Sequence, residues 1–224
     1  MTLIGLIYLA RIARLQELER LRLRIARDLH DEVGANLGTI SLLAQIVEKQ
    51  SANPKVTQMR DVVVETIDTL RDIVWFIDPQ HDRLSDLVTR LAETTKKMLP
   101  HINCKFEQTG NFQSARLSLL FRHNILPIYK EALHNLINHA HATEVRITVR
   151  RWENQFQFQI ADNGAGFYEP DVYLGNGLKN MRRRAADIGG RLEIASQPGG
   201  GTTVILTAPI TQTRNRLWWG IPLN

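Results

Sequence analysis

Two apolar stripes at helical spacing run through the first third of the chain. The first extends from about Ile12 to Gln50 without a proline, and Leu15 and Leu18 begin its heptad-like series. The second covers about Lys55–Ile77, and Ser51-Ala-Asn-Pro54 between the two is typical of a turn. Two long amphipathic helices joined by a tight turn predict a hairpin, and a homodimeric four-helix bundle would bury both stripes.

The pattern changes to shorter elements after Asp78-Pro79, which predicts the end of the second helix and a hinge. Two later segments, at about 145–149 and 156–160, alternate apolar and polar residues as half-buried strands do. The other predicted elements are a helix over Leu84–Leu99, a strand near Ile102–Gln108, a helix over about Leu117–Ala140 with Pro127 as a kink or break, a helix near Leu178–Ile188, and strands near Arg191–Ser196 and Thr203–Thr207. The fold class is therefore α+β, with a helical hairpin followed by an α/β sandwich built on a mixed, largely antiparallel sheet.

These patterns divide the chain into residues 1–11, a dimerisation region over 12–78, the sandwich over 83–210, and a tail over 211–224 with no predicted role. The apolar run Leu3–Ala10 is too short to cross a hydrocarbon core, which needs about 20 residues. Because Arg11 and Arg14 follow it, the run is either the end of a transmembrane helix in a longer parent or the first turns of a coiled coil.

Composition narrows the class of protein. Of 224 residues, 43% are hydrophobic, which is ordinary for a globular chain, and the net charge is +5. The arginines are concentrated in residues 11–27 and 182–184 and do not form one stripe, so no nucleic-acid partner is predicted. Cys104 is the one cysteine; it can form no intramolecular disulfide, which favours a reducing, cytoplasmic setting.

Several residues at the junctions of predicted elements offer chemistry that suits a nucleotide. Asn135 offers an amide oxygen, a hard ligand suited to Mg²⁺. Asp162 follows a predicted buried strand and can accept a hydrogen bond from an exocyclic amine, while Gly164 and Gly166 let the backbone approach a ring closely. Gly177 stands at the start of a predicted helix, where backbone N–H groups can bind phosphate.

These residues lie in four strings: EALHNLINHA over 131–140, DNGAGF over 162–167, GNGL over 175–178 and GGGTT over 199–203. Each string has a simpler interpretation by itself, since Asp-Asn-Gly is a common turn and a polar helix face is ordinary. In this order, however, they resemble the N, G1, G2 and G3 boxes of the GHKL ATP-binding fold shared by histidine kinases, gyrase, Hsp90 and MutL. No P-loop of the form Gly-x4-Gly-Lys-Ser/Thr occurs.

Residues 25–43, IARDLHDEVGANLGTISLL, resemble the phosphoacceptor helix of sensor histidine kinases whose partners are NarL/LuxR-type response regulators. With the nucleotide boxes, the resemblance covers roughly residues 20–208. It implies that His30 is the phosphoacceptor, that Asp31 is the general base, and that a mobile lid lies near Phe167–Leu174. It also implies an ATP site, with Mg²⁺ on Asn135, formed by Asn135, His139, Asp162, Gly164, Gly166, Gly175, Gly177, Leu178 and Thr202.

The same resemblance implies a homodimer, a response-regulator receiver domain as partner, and a cytoplasmic portion whose parent is anchored in the bacterial inner membrane. Two positions depart from the family pattern. Four residues after Asp31, where the family often has an amide that positions water, this chain has Ala35, with Asn36 next to it. Weak phosphatase activity is therefore predicted. Asn138 replaces the usual basic residue before His139, which puts a phosphate contact from that position in doubt.

Two other functions stay open at this point. In a GHKL ATPase, Glu131 would activate water four residues before Asn135, whereas a pseudokinase would be a non-catalytic dimeric scaffold. The His30 helix and the lack of an obvious transducer domain argue against the ATPase, and the presence of Asn135 and Asp162 argues against the scaffold.

Overall fold

The computed structural model describes residues 3–50, 53–113, 115–168 and 176–210. The chain divides into two compact units, one ending at His81 and the other beginning at Asp82. This boundary falls just after Pro79, and each unit has a fold of its own.

The first unit is a helical hairpin. Its first arm is continuous and consists of α1 (Leu3–Asp28), a first π-turn (Leu29–Val33) and α2 (Gly34–Gln50), and its second arm is α3 (Pro54–Ile77). A short 3₁₀ turn, Pro79–His81, follows. The side chain of Asn53 caps α3 by accepting a hydrogen bond from the Lys55 N–H at 3.0 Å.

The first arm differs from the predicted helix in two ways. It begins at Leu3 rather than at Ile12, so the apolar run Leu3–Ala10 is helical. It is also not α-helical throughout, because the Gly34 N–H donates to the Leu29 carbonyl in an i→i+5 bond. Within the described residues, no helix is both long enough and apolar enough to span a membrane.

The arms of the hairpin are joined by few fully buried side chains. Arg60 Nη1 of α3 lies 2.6 Å from Glu48 Oε2 of α2, and Thr57 donates to the same carboxylate. The buried apolar side chains described in this unit are Ala26, Ala44, Val63 and Phe76. Large apolar side chains are left open in the single chain: Leu42 is 58% exposed, and Leu43 and Val62 are each 56% exposed. Such a stripe needs a partner to bury it.

The second unit is an α/β sandwich. Its elements are α4 (Leu84–Met98), β1 (Asn103–Thr109), α5 (Leu119–Asn135), a second π-turn (Leu136–Ala140), β2 (Glu144–Trp152), β3 (Gln155–Asp162), α6 (Asn176–Asp187), β4 (Arg191–Ser196) and β5 (Thr202–Pro209). The strands form one sheet in the order β1-β2-β3-β5-β4, in which β1 and β2 are parallel and the other pairs antiparallel. The predicted mixed, largely antiparallel sheet is therefore confirmed.

Helix α5 packs on the central strand β3. Tyr129 meets Phe158 edge-to-face with ring centroids 5.2 Å apart, and Phe121 meets Phe156 in the same way at 5.8 Å. The Tyr129 hydroxyl also hydrogen-bonds Thr95 of α4, and burial raises the pKa of Tyr129, so this phenol stays protonated. Helices α4 and α5 are thus fixed to one side of the sheet.

Two predictions for this unit need correction. Pro127 does not break α5, which continues through it to Asn135. The prediction of an α-helix as far as Ala140 is wrong for the last turn, because residues 136–140 form the second π-turn.

Cys104 lies in β1, where burial raises the pKa of its thiol and keeps it uncharged, as suits a structural cysteine.

Candidate functional site

A cavity of about 380 Å³ lies between α5, the second π-turn, the sheet and the first turns of α6. Its volume falls within the range of small-molecule sites. The described side chains and glycines that line it are Glu131, Ala132, Asn135, Leu136, His139, Ala140, Ile160, Asp162, Gly166, Phe167, Gly177, Leu178, Met181, Ile194, Thr202 and Val204.

Most of the residues predicted from the four strings meet in this cavity. Those that line it are Asn135, His139, Asp162, Gly166, Gly177, Leu178 and Thr202. Gly164 is not in the lining but stands behind it, because a Cβ there would come within 2.2 Å of the Ala140 carbonyl oxygen. Gly175 lies outside the described residues, as does most of the predicted lid Phe167–Leu174.

The second π-turn shapes one wall of the cavity. Asn135 ends the α-helical part of α5, and His139 lies within the π-turn. Glu131, Asn135 and His139 follow one another at intervals of four residues and all reach the cavity, although the π-turn means that they do not share a single α-helical face. The wider turn ends at His141, which has a left-handed φ of 51° and starts the connection to β2.

The Asp162 carboxylate joins two of the glycine-rich strings. Its Oδ1 accepts hydrogen bonds from the backbone N–H of Gly164 at 2.8 Å and of Thr202 at 3.3 Å. Nearby, Ser196 Oγ accepts from the Phe167 N–H at 2.8 Å and lies 2.9 Å from Thr202 Oγ1. The turn after β3 is thus held against the β4–β5 connection, and Asp162 is fixed at the cavity wall.

Two glycines are required by this close approach. Gly166 has a φ of 61°, and a Cβ there would lie 2.0 Å from the Gln197 carbonyl oxygen. Gly201 has a φ of 74°, and a Cβ there would lie 2.0 Å from the Asp162 carbonyl oxygen. Backbone atoms cannot move aside as the end of a flexible side chain can, so both positions exclude other residues.

Gly201→Ala should destabilise the second unit more than Gly199→Ala does. Both glycines have nearly the same positive φ, 74° and 75°, but a Cβ at Gly199 meets nothing within 4 Å. The shared backbone strain costs about 1–2 kcal/mol, and the overpacking at Gly201 adds about 1–3 kcal/mol to its loss of unfolding free energy. Urea denaturation of both variants measures this difference, and equal losses would show that the close contact at Gly201 is relieved without strain.

The chemistry of the cavity suits an adenine nucleotide with a bound metal. Apolar residues of the strands and of α6 (Ile160, Ile194, Met181) form a wall for a flat ring, with Asp162 as the acceptor for an amine. Among the described residues no cluster of three or more His, Cys, Asp or Glu could cage a metal. Asn135 in the lining offers an amide oxygen, which could hold Mg²⁺ together with phosphate oxygens and water.

Sequence reasoning missed the apolar wall and gave Glu131 a role only in the alternative ATPase. The sequence does contain a signal for this wall, because Ile160 and Val204 lie at buried positions, and Ile194 at a half-buried position, of strands whose burial alternates. Glu131 has no such signal, since its place beside Gly177 results from the packing of α5 against α6.

A second groove, of about 340 Å³, lies within the helical hairpin. It is lined by Asp31, Gly34, Ala35, Ile67, Leu70, Arg71 and Val74. Ala35 thus shares this groove with Asp31, whereas Asn36 is not among the lining residues. The backbone of His30 lies in the first π-turn, and its side chain lies outside what the structure describes. π-turns inside helices are often found at functional sites.

Comparison with known proteins gives two family matches in this order. Residues 22–82 match a family described as "Histidine kinase", and residues 123–212 match the "Histidine kinase-, DNA gyrase B-, and HSP90-like ATPase" family. The first match covers the hairpin from late α1 onward, and the second covers the whole cavity as described.

Individual relatives agree with these matches. The chain is 27% identical to the "Sensor protein VraS" of Staphylococcus epidermidis over 206 residues, and 29% identical to the "Sensor histidine kinase YvfT" of Bacillus subtilis over 195 residues. These alignments cover 87% and 84% of this chain, but only 57% and 50% of the two relatives, so the chain spans about half of their length. In fold it is similar to the Erythrobacter litoralis EL346 blue-light activated histidine kinase, with a TM-score of 0.54 at 18% identity over 84% of this chain and 60% of that one.

Proposed function

The chain belongs to the histidine kinases in which a phosphoacceptor hairpin precedes a GHKL nucleotide-binding domain, and on that premise we propose that it phosphorylates His30 with ATP and transfers the phosphoryl group to an aspartate of a response regulator. The regulator is of the NarL/LuxR type. The observation that carries the proposal is the single cavity into which Asn135, Asp162 and Thr202 converge from separate strings of the chain.

The residues of the cavity bind and orient ATP in this proposal. Asp162 accepts a hydrogen bond from the exocyclic amine of adenine through Oδ2, because its Oδ1 is engaged by Gly164 and Thr202. Gly177 and Leu178 bring the start of α6 to the phosphates. Asn135 would hold Mg²⁺, which supplies charge compensation for the phosphates when bound.

The hairpin supplies the nucleophile and the base. A ring nitrogen of His30 forms a bond to the γ-phosphorus while the bond from that phosphorus to the ADP oxygen breaks. The other ring nitrogen loses its proton to the Asp31 carboxylate, which lines the groove of the hairpin. In the second step the phosphoryl group moves from His30 to the carboxylate of the regulator.

The proposal includes a homodimer and a longer parent anchored in the bacterial inner membrane. The exposed side chains of Leu42, Leu43 and Val62 supply the apolar surface that a second copy would bury in a four-helix bundle. The chain spans only about half the length of the relatives named as sensors, and the proposed anchor would belong to a longer parent of that kind.

Incubation of the protein with Mg²⁺ and γ-labelled ATP tests the proposed function. Label that is acid-labile and base-stable is expected, since this is the stability of a phosphohistidine. Consumption of ATP without protein-bound label would identify an ATPase instead. Neither label nor consumption, in a protein that still forms dimers, would identify a scaffold.

Ala35→Gln should raise dephosphorylation of the phosphorylated regulator by about tenfold or more. Ala35 lines the same groove as Asp31, so an amide at this position can orient a water molecule, whereas Asn36 is not among the lining residues of that groove. The measurement is the decay rate of the phosphorylated receiver with each kinase variant in the presence of ADP. Asn36→Ala is the matched control and should leave the slow wild-type rate unchanged. A large drop in that rate with Asn36→Ala would assign the phosphatase function to Asn36 and contradict the prediction.

A further inference from the structure

The described lining of the candidate nucleotide cavity contains carboxylates but no lysine or arginine, and His139 is the basic side chain that it does contain. The two carboxylates are those of Glu131 and Asp162. A triphosphate entering this cavity therefore meets like charge, and each such encounter at close range disfavours binding.

The two carboxylates differ in their surroundings. Asp162 Oδ1 is bound by two backbone N–H groups, and this residue belongs to the end of the cavity formed by the turn after β3. Glu131 lies at the other end, where a Cβ built on Gly177 would come within 2.0 Å of Glu131 Oε1 and 3.0 Å of its Cδ. The Glu131 carboxylate thus occupies the space beside the first turn of α6, where the proposed function puts the phosphates.

Asn135 lies one helical turn after Glu131 on the same cavity wall. A divalent cation held at Asn135 together with the phosphates would lie close to the Glu131 carboxylate and reduce its repulsion of them. Without the cation the full charge of the phosphates faces this carboxylate.

We infer that Glu131 is a specificity-determining residue that makes the cavity select the metal-bound nucleotide over the metal-free nucleotide. The inference rests on the proposed function, since it requires that the cavity bind ATP. Glu131 acts here by excluding metal-free ATP. This role differs from the activation of water, because it acts when the nucleotide binds and not during a chemical step. Gly177 contributes to this selection, because only a residue without a side chain leaves room for the Glu131 carboxylate in its present position.

Calorimetric titration of ATP into the protein, once with Mg²⁺ and once with EDTA, tests the inference. In the wild type the metal-free Kd should exceed the Kd with Mg²⁺. Glu131→Gln should lower the metal-free Kd and reduce the ratio of the two constants by about tenfold, equivalent to about 1.4 kcal/mol. Glu193→Gln removes the same charge from an exposed side chain of β4 that is not in the cavity lining. This control should keep the wild-type ratio of the two dissociation constants.

Gly177→Ala tests the same point by a second route. The new methyl group and the carboxylate cannot share their present positions, so Glu131, whose side chain is flexible, must move away from the start of α6. This variant should also bind metal-free ATP more tightly.

A folded Glu131→Gln or Gly177→Ala protein with the wild-type metal-free Kd would overturn the inference. A ratio that falls only because binding with Mg²⁺ weakens would also overturn it, since Glu131 would then hold the metal. Absence of ATP binding to the wild type under both conditions would instead refute the proposed function.

Discussion

His30→Gln should abolish the incorporation of phosphate from γ-labelled ATP, with a loss of at least about a thousandfold. Glutamine is similar in size and polarity to histidine but has no ring nitrogen that can form a bond to phosphorus. The described cavity lies wholly in the second unit, beyond Asp82, so the variant should still bind ATP in calorimetric titration. Loss of label with retained binding would separate the phosphoacceptor from the nucleotide site.

His101→Gln is the matched control for this experiment. His101 is an exposed histidine in the turn before β1, and it should keep the wild-type labelling. If His30→Gln were still labelled with the same acid lability, another histidine would be the acceptor, and the resemblance of residues 25–43 to a phosphoacceptor helix would not extend to its chemistry. The seven histidines of the chain make this outcome testable by single substitutions.

The site was predictable from sequence where backbone geometry limits the choice of residue. Gly166 and Gly201 have positive φ and lie very close to other backbone atoms, so this fold requires glycine at both positions. Asp162 was predicted because it follows a buried strand and offers a carboxylate acceptor, and in the structure its Oδ1 accepts from the N–H groups of Gly164 and Thr202.

Features that depend on packing between distant elements were not predictable. The two π-turns change the phase of helices whose apolar spacing remains compatible with an α-helix, so periodicity alone predicts straight helices. Pro127 was predicted to kink or break α5, and the structure excludes the break: the helix is held by packing before and after Pro127, with Phe121 and Tyr129 against the sheet. Tertiary contacts override local preference there.

The contact between Glu131 and Gly177 was also not predictable from sequence, because it depends on packing between distant elements. Gly177 was assigned to the approach of phosphate, yet its nearest constraint in the structure is the end of the Glu131 side chain. Gly164, predicted in the ATP site, is needed for close packing against Ala140 behind the cavity. A glycine string therefore indicates that a close approach exists, while the partner in that approach has to come from the structure.

Asp162→Asn should weaken ATP binding by about a hundredfold, because it places a donor against a donor whichever way the amide is turned. If the amide oxygen keeps the place of Oδ1 and accepts from Gly164 and Thr202, the amide nitrogen faces the exocyclic amine of adenine. If the amide is reversed, its nitrogen faces two backbone N–H groups, and the turn after β3 is destabilised. Calorimetric titration with ATP and Mg²⁺ measures the loss.

Base preference distinguishes these two orientations and tests the role of Asp162 as the adenine acceptor. With the nitrogen toward the cavity, the variant can donate to the carbonyl of guanine, so the ratio of ATP affinity to GTP affinity should fall by more than the loss that both nucleotides share. Asp187→Asn, at the exposed end of α6 and outside the cavity lining, should keep both affinities and their ratio. If Asp162→Asn weakened ATP and GTP equally while the thermal stability of the second unit also fell, Asp162 would act only by holding Gly164 and Thr202. Adenine would then have to be recognised by other groups of the cavity.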